Sequence, residues 1–143
     1  MNTIKELTRE EIKQNRLKFA AGLQEEHREK TTAKLENVEF PNQRCCLGHG
    51  CDIFGVTRKV VDNTVLYGEE HNTNVAPSEL IELLGLGDDC GVIKEDEHGF
   101  ILESLTMLND QTSTSIQEIG KLIEGWVEGG EGTPFIPLSD YKE

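Results

Sequence analysis

Ser115 opens a segment in which Ile116, Ile119, Leu122, Ile123, Trp126 and Val127 recur at successive intervals of three or one residues. That spacing puts all six on one face of an α-helix. Glu118, three residues after Ser115, completes a capping box, whose hydroxyl and carboxylate satisfy amides that the first helical turn leaves over. A helix is predicted over residues 116–128. Thr8 and Glu11 repeat the box near the other end of the chain, ahead of the stripe Ile12, Phe19, Ala20 and Leu23. This predicts a first helix over residues 8–30, with the polar end Gln24 to Lys30 solvated.

Between these helices the pattern changes period. Thr57–Val61 and Thr64–Tyr67 are β-prone and flank Asp62-Asn63, a turn pair, so residues 57–67 read as a hairpin. Val92-Ile93 and Phe100–Leu102, around Glu97-His98-Gly99, suggest a second. Pro77 fits the first helical position of a short helix carrying Leu80, Ile81, Leu83 and Leu84, with Gly85 as its stop. Residues 31–44, with Pro41, read as a connector containing a short extended piece at Val38–Phe40. Residues 68–76 read as a polar loop, and Leu105, Met107 and Leu108 continue the core. The expected architecture is α+β: a mainly helical single domain over residues 1–128, three main helices, and one or two short β-hairpins. Residues 129–143, with three glycines and two prolines, read as a flexible tail, from which Phe135, Ile136 and Leu138 can dock on the body.

At 143 residues the chain is large enough to bury one core without disulfides. No apolar run reaches membrane-spanning length. The N-terminal residues carry no apolar leader, so the expected compartment is the cytoplasm, where four cysteines are thiols or metal ligands.

The most unusual stretch is Cys45-Cys46-Leu47-Gly48-His49-Gly50-Cys51-Asp52-Ile53-Phe54-Gly55-Val56. Cys46, Leu47, Cys51, Ile53 and Phe54 fit one side of a short buried helix that Gly55 ends. Gly48 and Gly50 disfavour a helix, unless they serve a close backbone approach. Chemically, Cys45, Cys46, His49 and Cys51 are zinc-type ligands, with Cys90 or His98 available to complete a set. Their spacing lacks the two separated ligand pairs of structural zinc sites, and small buried thiols are a simpler reading. A Cys45–His49 pair on one helix face is a second chemical option, that of an activated nucleophile. The acidic clusters Glu69-Glu70, Asp88-Asp89 and Glu95-Asp96-Glu97 lack a calcium-loop pattern and read as solvated loops. Asn109-Asp110 reads as a cap or turn, or as a ligand contact.

The net charge of −13 is uneven. Residues 1–44 hold nine Lys/Arg against eight Asp/Glu, whereas residues 45–143 hold five against nineteen. That acidic surface disfavours direct nucleic-acid binding and suits a basic protein partner, beyond its effect on solubility. For a small anion, Arg44, Arg58 and Lys59 are the cations near the cysteine segment.

The string Arg44 to Asp52 resembles the Cys-Cys-Leu-Gly-x-x-Cys-Asp core of a group of small bacteriophage and prophage proteins. Pro77 followed by Gly85-Leu86, and Leu108-Asn109-Asp110 followed by Ser115-Ile116-Gln117-Glu118-Ile119, resemble further segments of that group in the same order. The likeness extends over about residues 15–127. It departs at His49 and Gly50, where the group has apolar residues, which counts against His49 as a family ligand. Cys45, Cys46, Cys51, Asn109 and Asp110 remain the family-like positions. The resemblance implies a phage accessory protein of unassigned function. By analogy with small acidic phage proteins, it would inhibit a host protein, including a defence protein, or sequester a small anionic signalling molecule. Cys45, Arg44, Arg58, Lys59, Asn109 and Asp110 are then the candidate contacts. A zinc-stabilised module and a cysteine-dependent enzyme are the alternatives.

Overall fold

The structure, a computed structural model, describes residues 7–26, 30, 34–36, 43–111 and 113–143. It is an α+β fold with, among the described residues, five α-helices and two separate two-stranded antiparallel sheets. The extended piece expected at Val38–Phe40 lies outside the described residues, as do residues 27–29 of the expected first helix.

Helix α1 (Arg9–Glu25) starts as expected. Thr8 accepts the Glu11 amide, and the Glu11 carboxylate accepts the Thr8 amide. It ends at Glu25, within the polar run that begins at Gln24. Helix α5 (Ile116–Gly125) carries the second capping box, Ser115 with Glu118, and ends at Gly125 rather than residue 128. The two helices pack along each other more extensively than any other pair of elements. Their stripes form much of the core, with Ile12, Phe19, Leu23, Ile119 and Ile123 at 0% exposure. Leu122 departs from the expected stripe and is 40% exposed, because the contact face of α5 is narrower than its apolar face.

Strands β1 (Arg58–Val61) and β2 (Thr64–Tyr67) form the first hairpin. Asp62 and Asn63 have φ of 48° and 61°, the twin left-handed conformation of a tight two-residue turn. Strands β3 (Val92–Glu95) and β4 (Ile101–Ser104) form the second, with an irregular register near Lys94. Helix α3 (Ser78–Leu84) has Pro77 as its N-cap, one position outside the expected one. Glu70 supplies the cap, accepting from the Ser78 amide at 2.9 Å and the Ser78 hydroxyl at 2.5 Å. Gly85 ends α3 in the left-handed conformation at φ 67°.

Two short helices complete the core. Helix α2 (Cys46–Ile53) is the cysteine segment, and α4 (Leu105–Asp110) lies where only core residues were expected. The Ser104 hydroxyl accepts the Met107 amide and starts α4 directly from β4. Helix formation turns Met107 outward to 41% exposure, while Leu105 and Leu108 stay buried. Gly48 resolves the conflict over α2. A Cβ at this position would overlap the Leu35 carbonyl oxygen, so the strand-like segment at Leu35 reaches the helix backbone only because a glycine stands there.

The C-terminal residues lie against the body. Phe135 and Leu138 are buried, Phe135 pairs with Leu86, and the Ile136 amide donates to the Gly85 carbonyl at 2.8 Å. The anchor is Arg16, a fully buried cation in the middle of the α1 apolar stripe. Its guanidinium donates to the carbonyls of Leu84 (2.7 Å), Val127 (2.9 Å), Gly85 (3.3 Å) and Ile136 (2.7 Å). It also lies over the Phe135 ring, 4.6 Å from the centroid. Burial pushes its pKa down to about 10, so it stays charged at neutral pH.

Arg16→Met leaves at least four buried carbonyls without this donor. It is expected to destabilise the fold by about 3 kcal/mol or more, read as a lower midpoint in urea unfolding. Gly48→Ala is expected to cost about 2 kcal/mol or more through overlap with Leu35. Gly125→Ala, with open space around its Cβ, should instead stabilise by up to about 1 kcal/mol. The same unfolding curves check both signs.

Candidate functional site

Helix α2 is built by its cysteines. Cys45 is the N-cap, and its sulfur accepts the Gly48 amide at 3.3 Å, the role usually filled by Ser or Asp. The next amide, that of Cys46, donates to Asn109 Oδ1 at 2.9 Å, which ties the end of α4 to the start of α2. The Cys46 thiol faces the Leu105 carbonyl at 3.8 Å. Cys46, Leu47 and Cys51 are at 0% exposure. The segment therefore packs as the expected buried helix, with Ile53 and Phe54 half-buried against the same core.

Residues far apart in sequence do meet here. Cys45, Cys46, Asn109 and Asp110 line one cavity of about 310 Å³ together with Lys34 and Cys90. Two of them already have structural partners at the start of α2. Cys45 caps the helix, and Asn109 bonds its first amide and so ties α4 to α2.

The thiol chemistry runs against an activated nucleophile. Burial pushes the Cys45 thiol up to about 11, and raises those of Cys46 and Cys51 as well. His49 donates its amide to the Cys45 carbonyl, as any helical residue at that spacing does. Its imidazole turns elsewhere, with Nδ1 3.5 Å from a Glu26 carboxylate oxygen. Cys45 and Cys46 thus share a cavity wall, whereas the His49 imidazole faces Glu26. Cys90 is half-buried beside Asp89, and His98 is exposed at a hairpin tip beside Glu97. Among the described residues, no three His, Cys, Asp or Glu side chains converge as a metal-holding group.

Two of the cations named for a small anion gather around one carboxylate. Glu36, with its side chain 1% exposed, accepts from Arg44 Nε (2.9 Å), Arg58 Nε (3.0 Å) and Nη2 (2.5 Å), and the Tyr67 hydroxyl (2.5 Å). Arg44 also approaches Asp52 at 3.7 Å. Both guanidiniums therefore neutralise a buried carboxylate. Lys59 is exposed on β1. Glu36 was not singled out in the sequence, because an isolated Glu in an aperiodic connector carries no signal of burial. Its desolvation, which raises its pKa, is outweighed by the hydrogen bonds from Arg58 and Tyr67 and the charges of Arg44 and Arg58. Its pKa falls to about 2.

Other acidic residues make turns. Asp88 accepts the Cys90 and Val92 amides, and Asp96 accepts those of His98 and Phe100. Asp96 thereby fixes the tip of the β3–β4 hairpin. That tip displays Phe100 at 70%, Ile101 at 45% and Leu102 at 49% exposure, three large apolar residues in succession. Glu95 and Glu97 stand exposed in the same hairpin. Its consecutive apolar residues appeared in the sequence only as strand residues; their exposure follows from a two-stranded sheet whose tip, among the described residues, no other element covers.

No protein-family model matches the chain, and no curated protein or solved structure matches it either.

Glu36 has a folded pKa below its ordinary value near 4.5, so its contribution to stability is present above that value and is lost as pH falls toward 2. Glu36→Gln is expected to lower stability at pH 7 and to flatten the decline between pH 4.5 and 2, measured by urea unfolding across that range. With a disulfide-exchange reagent at pH 8, the half-buried Cys90 is expected to react first. Cys45, Cys46 and Cys51 should follow only on unfolding; fast, stoichiometric labelling of Cys45 would restore the nucleophile reading.

Proposed function

We propose that this chain is a non-catalytic binding protein that captures a protein partner with a basic surface, in stoichiometric fashion. The observation that carries this reading is the β3–β4 hairpin. Monomeric domains rarely keep consecutive large apolar side chains in water unless something binds them. Here Phe100, Ile101 and Leu102 project from a tip that Asp96 holds rigid, so little ordering is required on binding. Glu95 and Glu97 beside them favour a pocket rimmed by Lys or Arg and speed its approach. The net charge of −13 acts in the same direction. An anionic membrane would be repelled by the same carboxylates. The resemblance to phage accessory proteins makes a host protein, including a defence protein, the natural partner, and inhibition the natural effect.

Phe100→Asp should leave the unfolding midpoint nearly unchanged, because the ring is mostly in water. It should also weaken partner binding at least tenfold. The check is affinity capture from bacterial lysate with the wild-type and variant chains, then calorimetric titration of the purified partner. A one-to-one complex that loses affinity in the variant supports the reading. Multiple turnover of the partner, or equal affinity of the two chains, would end it.

A further inference from the structure

A second surface, sharing no residue with the hairpin, has a different shape. A groove of about 830 Å³ runs between α3 and the C-terminal segment. Leu7, Ile81, Leu83 and Ile136, all half-buried, give it apolar walls, and Tyr141 closes one side. Glu82 and Asp140 stand exposed among its lining residues, whereas the Glu79 carboxylate accepts the Glu69 amide at 3.0 Å. Lys142 is the one cation among the described lining residues.

We infer that this groove docks an amphipathic helix of a partner protein, with its apolar face on the groove walls and Lys or Arg side chains against Glu82 and Asp140. Three observations select this occupant. The walls are apolar and the margin is acidic, which complements a helix bearing aliphatic residues at helical spacing between cations. An added strand is disfavoured because the backbone along the C-terminal side is already paired. The Ile136 amide donates to Gly85, the Gly87 amide to Pro134 and the Leu138 amide to Glu128. A second copy of this chain is disfavoured by charge, since each copy carries −13 and its exposed apolar hairpin is itself flanked by carboxylates. The inference stands or falls separately from the role of the hairpin.

The test uses the full chain and a fluorescein-labelled 18-residue peptide with Leu at helical i, i+3, i+4 and i+7 spacing and Lys elsewhere, read by fluorescence anisotropy. A peptide of the same composition with Leu and Lys shuffled off helical register controls for general attraction between opposite charges. The ordered peptide is expected to bind at least tenfold more tightly than the shuffled one. Leu83→Gln and the pair Glu82→Lys/Asp140→Lys should each weaken it about tenfold. The pair Glu25→Lys/Glu131→Lys, which changes net charge equally on exposed sites outside the groove lining, should weaken it much less. Equal binding of both peptides, or equal loss in both charge-reversed pairs, would overturn the inference. So would a dimer in sedimentation that Leu83→Gln dissociates, which would assign the groove to a second copy.

Discussion

The burial of Arg16 is the constraint on which the rest of the molecule depends. A guanidinium taken out of water loses strong hydration, and it is tolerated only when its donors meet acceptors of suitable geometry. Here those acceptors are carbonyls at and just beyond the ends of α3 and α5 and in the C-terminal segment. Carbonyls at helix ends lack partners within the helix and carry partial negative charge. One cation on α1 therefore satisfies several chain segments at once and fixes how they converge. The planar fork matters: a lysine has the charge but lacks five donors held in one plane. The groove beside α3 exists because this junction holds the C-terminal segment at a set distance from the helix.

A second polar junction works at the other end of the core. Glu36 gathers Arg44, Arg58 and Tyr67, joining the segment before α2 to the first hairpin. Next to it, Cys45 and Asn109 close the start of α2. The cysteine segment looked chemical in the sequence because thiols and an imidazole are reactive groups. In the fold, those thiols are a cap and core-filling side chains whose burial keeps them protonated. With the thiols packed as cap and core, the exposed hairpin tip and the groove beside α3 are the features of this molecule that packing leaves unexplained. The hairpin tip is convex and the groove concave, and both combine apolar side chains with carboxylates.

Local signals in the sequence determined much of the fold. Both capping boxes, the Asp62-Asn63 turn, the Gly85 stop and the stripes of α1 and α5 depend on neighbours within four residues, and all are legible as such. For α2 the sequence left a helix conditional on its glycines serving a close approach, and the Leu35 carbonyl against Gly48 meets that condition. Only the tertiary structure decided what depends on distant partners. It put Met107 and Leu122 in water, because exposure is set by what covers a face and not by its hydrophobicity. It buried Arg16 and Glu36, whose cost in isolation would exclude them from a core, because residues remote in sequence supply their partners. It brought Cys46 and Asn109 together across 63 positions, and it left Phe100 uncovered. A sequence specifies its own periodicity directly; which charges are matched, and which apolar surface is left over, is settled only when the elements meet.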